Sequence, residues 1–179
     1  IKTLSLYFID SVKSYRDEDG GEGQLRIKFE KMLSDYLKSE IESIGNTKDQ
    51  RLQEYKSYLE ASLKDVSKTN GGYFSEDNSS SEEDIQNEVD KILRDKEFLL
   101  NFHDDKGNWN TMRFIFSKWT LKEGWDNPNV FQIVKLRSSG SEVSKLQEVG
   151  RGLRLPVDEK GRRISDEQFY LRYLFDYSE

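Results

Sequence analysis

Cysteine is absent from this chain of 179 residues, and histidine occurs once, at His103. Without thiols there can be no disulfide and no thiolate metal site. A single imidazole leaves a zinc centre or a serine-type triad short of donors. Long apolar runs are missing as well: none approaches the roughly 18 residues that a membrane-spanning helix needs. The opening Ile1-Lys2-Thr3-Leu4 is neither a signal peptide nor a natural start, and it runs directly into a strand pattern. The expectation is a piece of a longer polypeptide.

What the sequence has in quantity is charge. Asp, Glu, Lys and Arg make up 35% of it and the mean hydropathy is −0.87, against 34% hydrophobic residues. One domain with a modest core and a large solvated surface is expected. The net charge of −6 is unevenly placed: seven acids and no base stand between Glu76 and Asp90, and without them the remainder carries +1. Overall charge therefore neither supports nor excludes DNA, and the remainder has room for a local basic face.

Periodicity gives the order of elements. Thr3-Leu4-Ser5-Leu6-Tyr7-Phe8-Ile9 reads as a buried strand, followed by a polar, Gly-rich loop from Asp17 to Gly23. Apolar residues at Leu25, Phe29, Leu33, Tyr36, Leu37 and Ile41, and again at Leu52, Tyr55, Tyr58, Leu59 and Leu63, have a helical period broken near Gly45-Asn46. Gly71-Gly72-Tyr73-Phe74-Ser75 is a short strand candidate. An acidic, Ser-rich loop spans Asp77–Asp84, and Ile85, Val89, Ile92 and Leu93 mark another helix. Further strands are expected at Met112–Phe116, Val130–Val134 and Phe169–Phe175. Ser139-Gly140-Ser141-Glu142 has capping-box spacing and starts a helix toward Gly150. Strands alternating with helices predict an α/β fold whose mainly parallel sheet is covered on both faces.

Two short segments carry the chemistry. Glu123-Gly124-Trp125-Asp126-Asn127-Pro128-Asn129-Val130 follows the Phe114-Ile115-Phe116 strand, which places it beyond a carboxyl strand end, where parallel α/β sheets hold ligand loops. Gly124 permits close backbone approach, and Asp126 offers an acceptor to a ribose hydroxyl or an arginine. Asn127-Pro128 sets a turn. The same residues also suit a plain βαβ connection whose polar groups only cap and turn.

The second segment, Gln147-Glu148-Val149-Gly150-Arg151-Gly152-Leu153-Arg154, brackets Arg151 with glycines and repeats arginine at Arg154. On one helical turn both guanidinium groups face a single polyanion. Arginine suits this task because it stays charged and binds phosphate oxygens in a bidentate fork. Gln147 lies one turn upstream on the same face, where it could orient a water or a phosphate oxygen. A helix C-terminus with glycine terminators and solvated arginines is the plainer account. Against it, glycines and arginines alternate instead of ending the helix once.

Together the two segments resemble motifs V and VI of superfamily 2 helicases. The fuller wording, Phe114-Ile115-Phe116-Ser117, Leu121 through Ile133, and Gln147 through Val157, resembles the Res subunit of type III restriction enzymes. Leu4-Ser5-Leu6-Tyr7-Phe8-Ile9-Asp10 and Gly72-Tyr73-Phe74-Ser75 fit that family's pattern too. The likeness runs from residue 1 to about residue 175 and is dense from Phe114 to Val157.

The resemblance implies one RecA-like domain over residues 1–179, the second of an ATP-driven DNA translocase, with a helical insertion at 25–66 and a mobile acidic loop at 76–84. The insertion is long for a bare RecA-like core and is a candidate partner-docking element. In such motors ATP with Mg²⁺ binds between two RecA-like domains, and the first supplies the phosphate loop and the magnesium acids. This chain has no Gly-x-x-x-x-Gly-Lys-Ser/Thr sequence and no Asp-Glu-x-His run, so half of the ATP site is expected elsewhere. Carried over by motif, Arg151 and Arg154 are expected as arginine fingers and Gln147 at the γ-phosphate or attacking water. Gly124 and Asp126 are expected to couple nucleotide to domain closure, and with Glu123 and Gly150 they are the expected cofactor-binding residues.

DNA contacts are expected at Ser117, Lys118 and Trp119 after one strand and at Arg137 and Ser138 after the next, all on the same sheet edge as the nucleotide residues. Trp119 could stack on a base, although core or hinge packing is the commoner role for it and for Trp125. His103 reads as loop surface, and Lys160, Arg162 and Arg163 as a solvated turn. Implied partners are double-stranded DNA, the first RecA-like domain of the same chain and a methyltransferase subunit, in the bacterial cytoplasm. The family's nuclease domain would lie further downstream. Alternatives are another superfamily 2 motor, from repair or type I restriction, or a RecA-like binding module without catalysis.

Overall fold

The computed structural model describes residues 1–17, 20–74, 96–118, 127–136, 150, 154–165 and 168–175. Their elements are β1 (Leu4–Ile9), α1 (Val12–Tyr15), α2 (Gln24–Ile44), α3 (Gln50–Lys64), a 3-10 turn (Val66–Thr69), β2 (Asn70–Tyr73), α4 (Lys96–Leu100), β3 (Phe114–Ser117), β4 (Val130–Leu136) and β5 (Arg172–Leu174). The strands form one five-stranded sheet in the order β2-β3-β1-β4-β5, and every pairing is parallel. This is the α/β, RecA-like arrangement. The acidic stretch, the Ile85–Leu93 helix and the helix from Ser139, apart from helical Gly150, lie outside the described residues.

β1 sits at the centre because its side chains are apolar in both directions. Leu4, Leu6 and Phe8 point to one face and pack with Leu99, Ile115, Val130 and Ile133. Ile9, with Tyr7 beside it, joins Tyr15, Phe74 and Phe116 on the other. A strand buried on both faces reads as a largely apolar run, which is how residues 4–9 appear in the sequence, interrupted only by Ser5. β5 is shorter than the Phe169–Phe175 pattern, only Arg172–Leu174 being paired, to β4.

The α2–α3 hairpin is rooted in this core through the first turns of α2. Leu25 and Phe29, in the first turns of α2, pack on the second sheet face, and the Phe29 ring lies 5.1 Å from both Phe114 and Phe116. Further along, α2 leaves the sheet and zips to α3 through Leu33, Leu37, Ile41, Tyr58, Leu59 and Leu63. Asp49 caps α3, its carboxylate accepting from the backbone N–H of Arg51 and Leu52. At the root of the hairpin the Tyr15 hydroxyl donates to Asn70 Oδ1 at 2.6 Å, and Asn70 Nδ2 donates to Glu30 Oε1 at 2.9 Å. Arg26 Nε donates to the same Glu30 oxygen at 2.8 Å. The chain connects α1, α2 and β2 through polar groups that all find partners.

Candidate functional site

Parallel strands put all their amino ends on one edge, and there the described end of the first segment meets Val157, three residues beyond the second. Asn127-Pro128-Asn129 forms the turn into β4: Asn127 Oδ1 accepts from the backbone N–H of Asn129 at 3.0 Å, an Asx turn. Asn129 is 1% exposed. Its backbone carbonyl accepts from Leu4 N at 2.8 Å, tying the turn to the start of β1. Its carboxamide reaches the segment behind the arginines. Nδ2 donates to Val157 O at 2.9 Å and to Lys2 O at 3.0 Å, while Oδ1 accepts from Val157 N at 2.9 Å.

From Val157 the chain turns back on itself. Val157 bridges Arg163, Asp158 N donates to Arg162 O, and Asp158 Oδ1 accepts from Lys160 N and Arg162 N at 2.9 Å each. Gly161 supplies the positive φ of 72° that the turn requires. The Arg162 side chain holds the Asp158 carboxyl below the usual carboxylate range. The same device occurs at Asp104–Asn108, with Gly107 at φ 77° and Asp104 Oδ1 accepting from Lys106 N and Asn108 N. The two turns are linked: Phe102 N donates to Glu159 Oε1 at 3.2 Å. Lys160, Arg162 and Arg163 are thus a solvated turn, and His103 is exposed at the base of the other, its ring 4.2 Å from that of Trp109.

Lys2 completes this edge. It is 2% exposed, and its Nζ donates to Asn101 O at 3.0 Å. Burial, reinforced by the Arg113 charge and opposed by Glu159, pushes its ammonium pKa down to about 7.

Of the residues singled out by sequence, Arg154 is exposed at the head of this segment, followed by Leu155, 60% exposed, and a buried Pro156. Gly150 is helical and exposed, and a Cβ placed on it would meet nothing within 4 Å. Ser117 ends β3 at 2% exposure, with Lys118 half-buried beside it. Gln147, Arg151, Glu123, Gly124, Asp126, Trp119, Trp125, Arg137 and Ser138 lie outside the described residues.

Two expectations about placement need revising. The Glu123–Val130 segment does not end beyond a carboxyl strand end, because β4 is parallel to β3 and its leading turn, Asn127–Asn129, must return to the amino edge. Among the described candidates, Arg154 and Ser117 do not share one edge either. Arg154 is three residues from Val157, a reach of at most about 10 Å, whereas β4 carries the chain roughly 20 Å to the opposite edge. Ser117 and Leu136 lie at that opposite edge, flanking the end of β1 through the pairs Phe8–Ser117 and Ile9–Leu136. Asn129 and Lys2, which organise the amino edge, were not among the sequence candidates.

No family model matches the chain. Among curated proteins, the type III restriction-modification enzyme StyLTI Res subunit of Salmonella typhimurium is 56% identical over 185 residues, covering 100% of this chain and 18% of the relative. The EcoPI Res subunit of Escherichia phage P1 and the EcoP15I Res subunit of Escherichia coli are each 51% identical over 177 residues, covering 99% of this chain and 17% of the relative. The chain therefore spans less than a fifth of the length of the curated relatives it matches.

Proposed function

We propose, for a chain that corresponds over its whole length to a region of type III restriction-modification Res subunits, that it is the second motor domain of such a subunit. In this role it supplies arginine fingers to an ATP held mainly by another domain, within a larger protein that moves on double-stranded DNA beside a methyltransferase subunit. The observation that supports the reading is the Asn129–Val157 clamp. It ties the end of the first segment to Val157, three residues beyond Arg154, which supports a ligand reaching both segments.

The chain's own groups fit a phosphate partner supplied from outside. Arg154 is exposed, and Gly150 has open space where a Cβ would stand. Arg151 and Arg154 bind and neutralise negative charge at the γ-phosphate, Gln147 orients the attacking water, and Gly124 and Asp126, with Glu123, sense closure. ATP, with its Mg²⁺ held by the first domain, supplies the phosphoanhydride bond. At the carboxyl edge the ends of β3 and β4 flank β1, about 10 Å apart at the usual strand spacing, and the proposed DNA contacts, Lys118 with Trp119 and Arg137 with Ser138, follow those strands in sequence. That spacing suits contacts to successive points on a DNA backbone. Ser117, also a DNA-contact candidate, is 2% exposed, which leaves Lys118 beside it as the stronger one.

The test is DNA-stimulated ATP turnover of the full-length protein carrying Arg151→Ala or Arg154→Ala. An arginine finger is worth on the order of 10³–10⁵ in rate in related NTPases, so turnover should collapse in each. Wild-type turnover in both removes the arginine-finger assignment.

A further inference from the structure

We propose that Asn129 is a positioning residue of the motor site: its carboxamide sets where the arginine segment stands relative to the turn that ends the Glu123–Asn127 segment. The inference rests on the motor reading above and adds to it a residue that none of the motif arguments assigned.

The geometry is that of a side chain imitating a strand. One carboxamide engages both the N–H and the C=O of Val157, each at 2.9 Å, and the same Nδ2 reaches Lys2 O at 3.0 Å. Only a planar amide offers a donor and an acceptor at this spacing. Aspartate would set one carboxylate oxygen against the carbonyls of both Val157 and Lys2, and serine is too short to bridge both Val157 groups. At 1% exposure the bonds face little competition from water. The β1–β4 ladder already joins the two strands from Leu4–Val130 to Ile9–Leu136. The carboxamide bonds therefore add little to the sheet itself, and their larger effect is to hold Val157. Arg154 lies three residues upstream, so its backbone placement follows that of Val157 to within a short tether. Transition-state contacts tolerate little misplacement, since a 1 Å error can cost about 10²-fold in rate.

The test uses the full-length protein and a double-mutant cycle. Asn129→Asp and Asn129→Ser are measured alone and combined with Arg154→Lys, chosen because a retained cation should leave measurable turnover. The kcat of each Asn129 variant should fall at least tenfold, with the KM for ATP and DNA binding without nucleotide held within about threefold. Asn129→Ser added to Arg154→Lys should slow turnover little further, because both act on one interaction. Wild-type kcat in folded Asn129 variants, or losses that multiply in the cycle, overturns the positioning role. So does failure of both variants to yield folded protein below the wild-type melting temperature, which makes Asn129 a folding residue only. If Arg151→Ala and Arg154→Ala keep wild-type turnover, the motor reading itself falls. If those arginine variants are inactive while the Asn129 variants are normal, only the positioning role falls.

Discussion

Arg113 joins the sheet to the α2–α3 hairpin by holding Tyr58: its Nη1 donates to the Tyr58 hydroxyl at 3.0 Å while the guanidinium carbon lies 5.0 Å from the Tyr58 ring centre. The same nitrogen donates to Ser62 Oγ at 2.9 Å, and the guanidinium also lies 5.0 Å from the Phe114 ring. One planar cation thus engages two hydroxyls and two rings. Lysine carries the charge but not the plane or the fork. Arg113→Lys should therefore recover little of the stability lost in Arg113→Ala, which we expect to be about 2 kcal/mol. Urea unfolding of residues 1–179 measures both. Full recovery by lysine would reduce the contact to simple charge.

Gly72 is required by its neighbours, not by its own backbone. A Cβ there would come within 2.6 Å of the Phe74 ring and 2.8 Å of the Tyr15 ring, both fully buried. Strand conformation alone favours alanine over glycine by roughly 0.5–1 kcal/mol. Overpacking of this kind costs about 1–3 kcal/mol, so the clash should win. Gly72→Ala should lower the melting temperature by several degrees, and Gly72→Ala with Phe74→Leu should recover part of the loss. A stabilised single variant would show that the two rings move aside freely.

Residues 25–66 were legible as helices because Leu25, Phe29, Leu33 and Leu37 repeat at the helical period, and α2 and α3 fall where that period places them. What the period could not reveal is the destination of each apolar residue. Leu25 and Phe29 belong to the sheet face, while Leu33 and Leu37 belong to the hairpin. The strands were legible for a similar reason: β1 has apolar side chains on both faces and shows it as a run broken only by Ser5. The amino-edge clamp was not. Asn127-Pro128-Asn129 has the chemistry of a turn and does form one. The second role of Asn129 depends on partners 127 and 28 residues away in sequence, Lys2 and Val157, and leaves no local trace. Lys2 reads as an ordinary polar residue before a strand, and only the tertiary fold buries it.

The placement of Leu25 and Phe29 changes what a deletion should do. Removing residues 25–66 strips apolar cover from Tyr7, Phe114 and Phe116, so the shortened chain should fail to fold instead of merely losing a partner. Dye binding and loss of a cooperative thermal transition would report this. Point changes at exposed Tyr36, Met32 or Tyr55, which are 60%, 63% and 42% exposed, should leave the transition within a few degrees. A cooperative fold in the deletion variant would mean that the hairpin is dispensable to the core after all.

Lys2 should give the chain an uncommon dependence on pH. Its ammonium has a pKa near 7 when folded, against 10.5 when free, because burial disfavours the charge and Arg113 repels it. Below about pH 7 both folded and unfolded chains hold the proton, and folding carries the whole cost of burying the cation. Between pH 7 and 10.5 the unfolded chain binds more protons than the folded one, so the contribution of Lys2 to stability rises with pH across that window. The size is on the order of a few kcal/mol at about 1.4 kcal/mol per unit. Lys2→Met removes the titration while keeping an unbranched side chain one heavy atom shorter. The stability difference between the methionine variant and the parent, followed by urea unfolding from pH 6 to pH 10, should favour methionine most at the acid end and shrink toward the alkaline end. Taking the difference cancels the titrating groups that do not interact with Lys2. Arg113→Met should raise the Lys2 pKa and move the window upward, whereas Glu159→Gln should lower the pKa and move it down, since Glu159 opposes the shift. A flat difference curve would mean that water reaches the Lys2 ammonium and that the amino edge is looser than its hydrogen bonds imply.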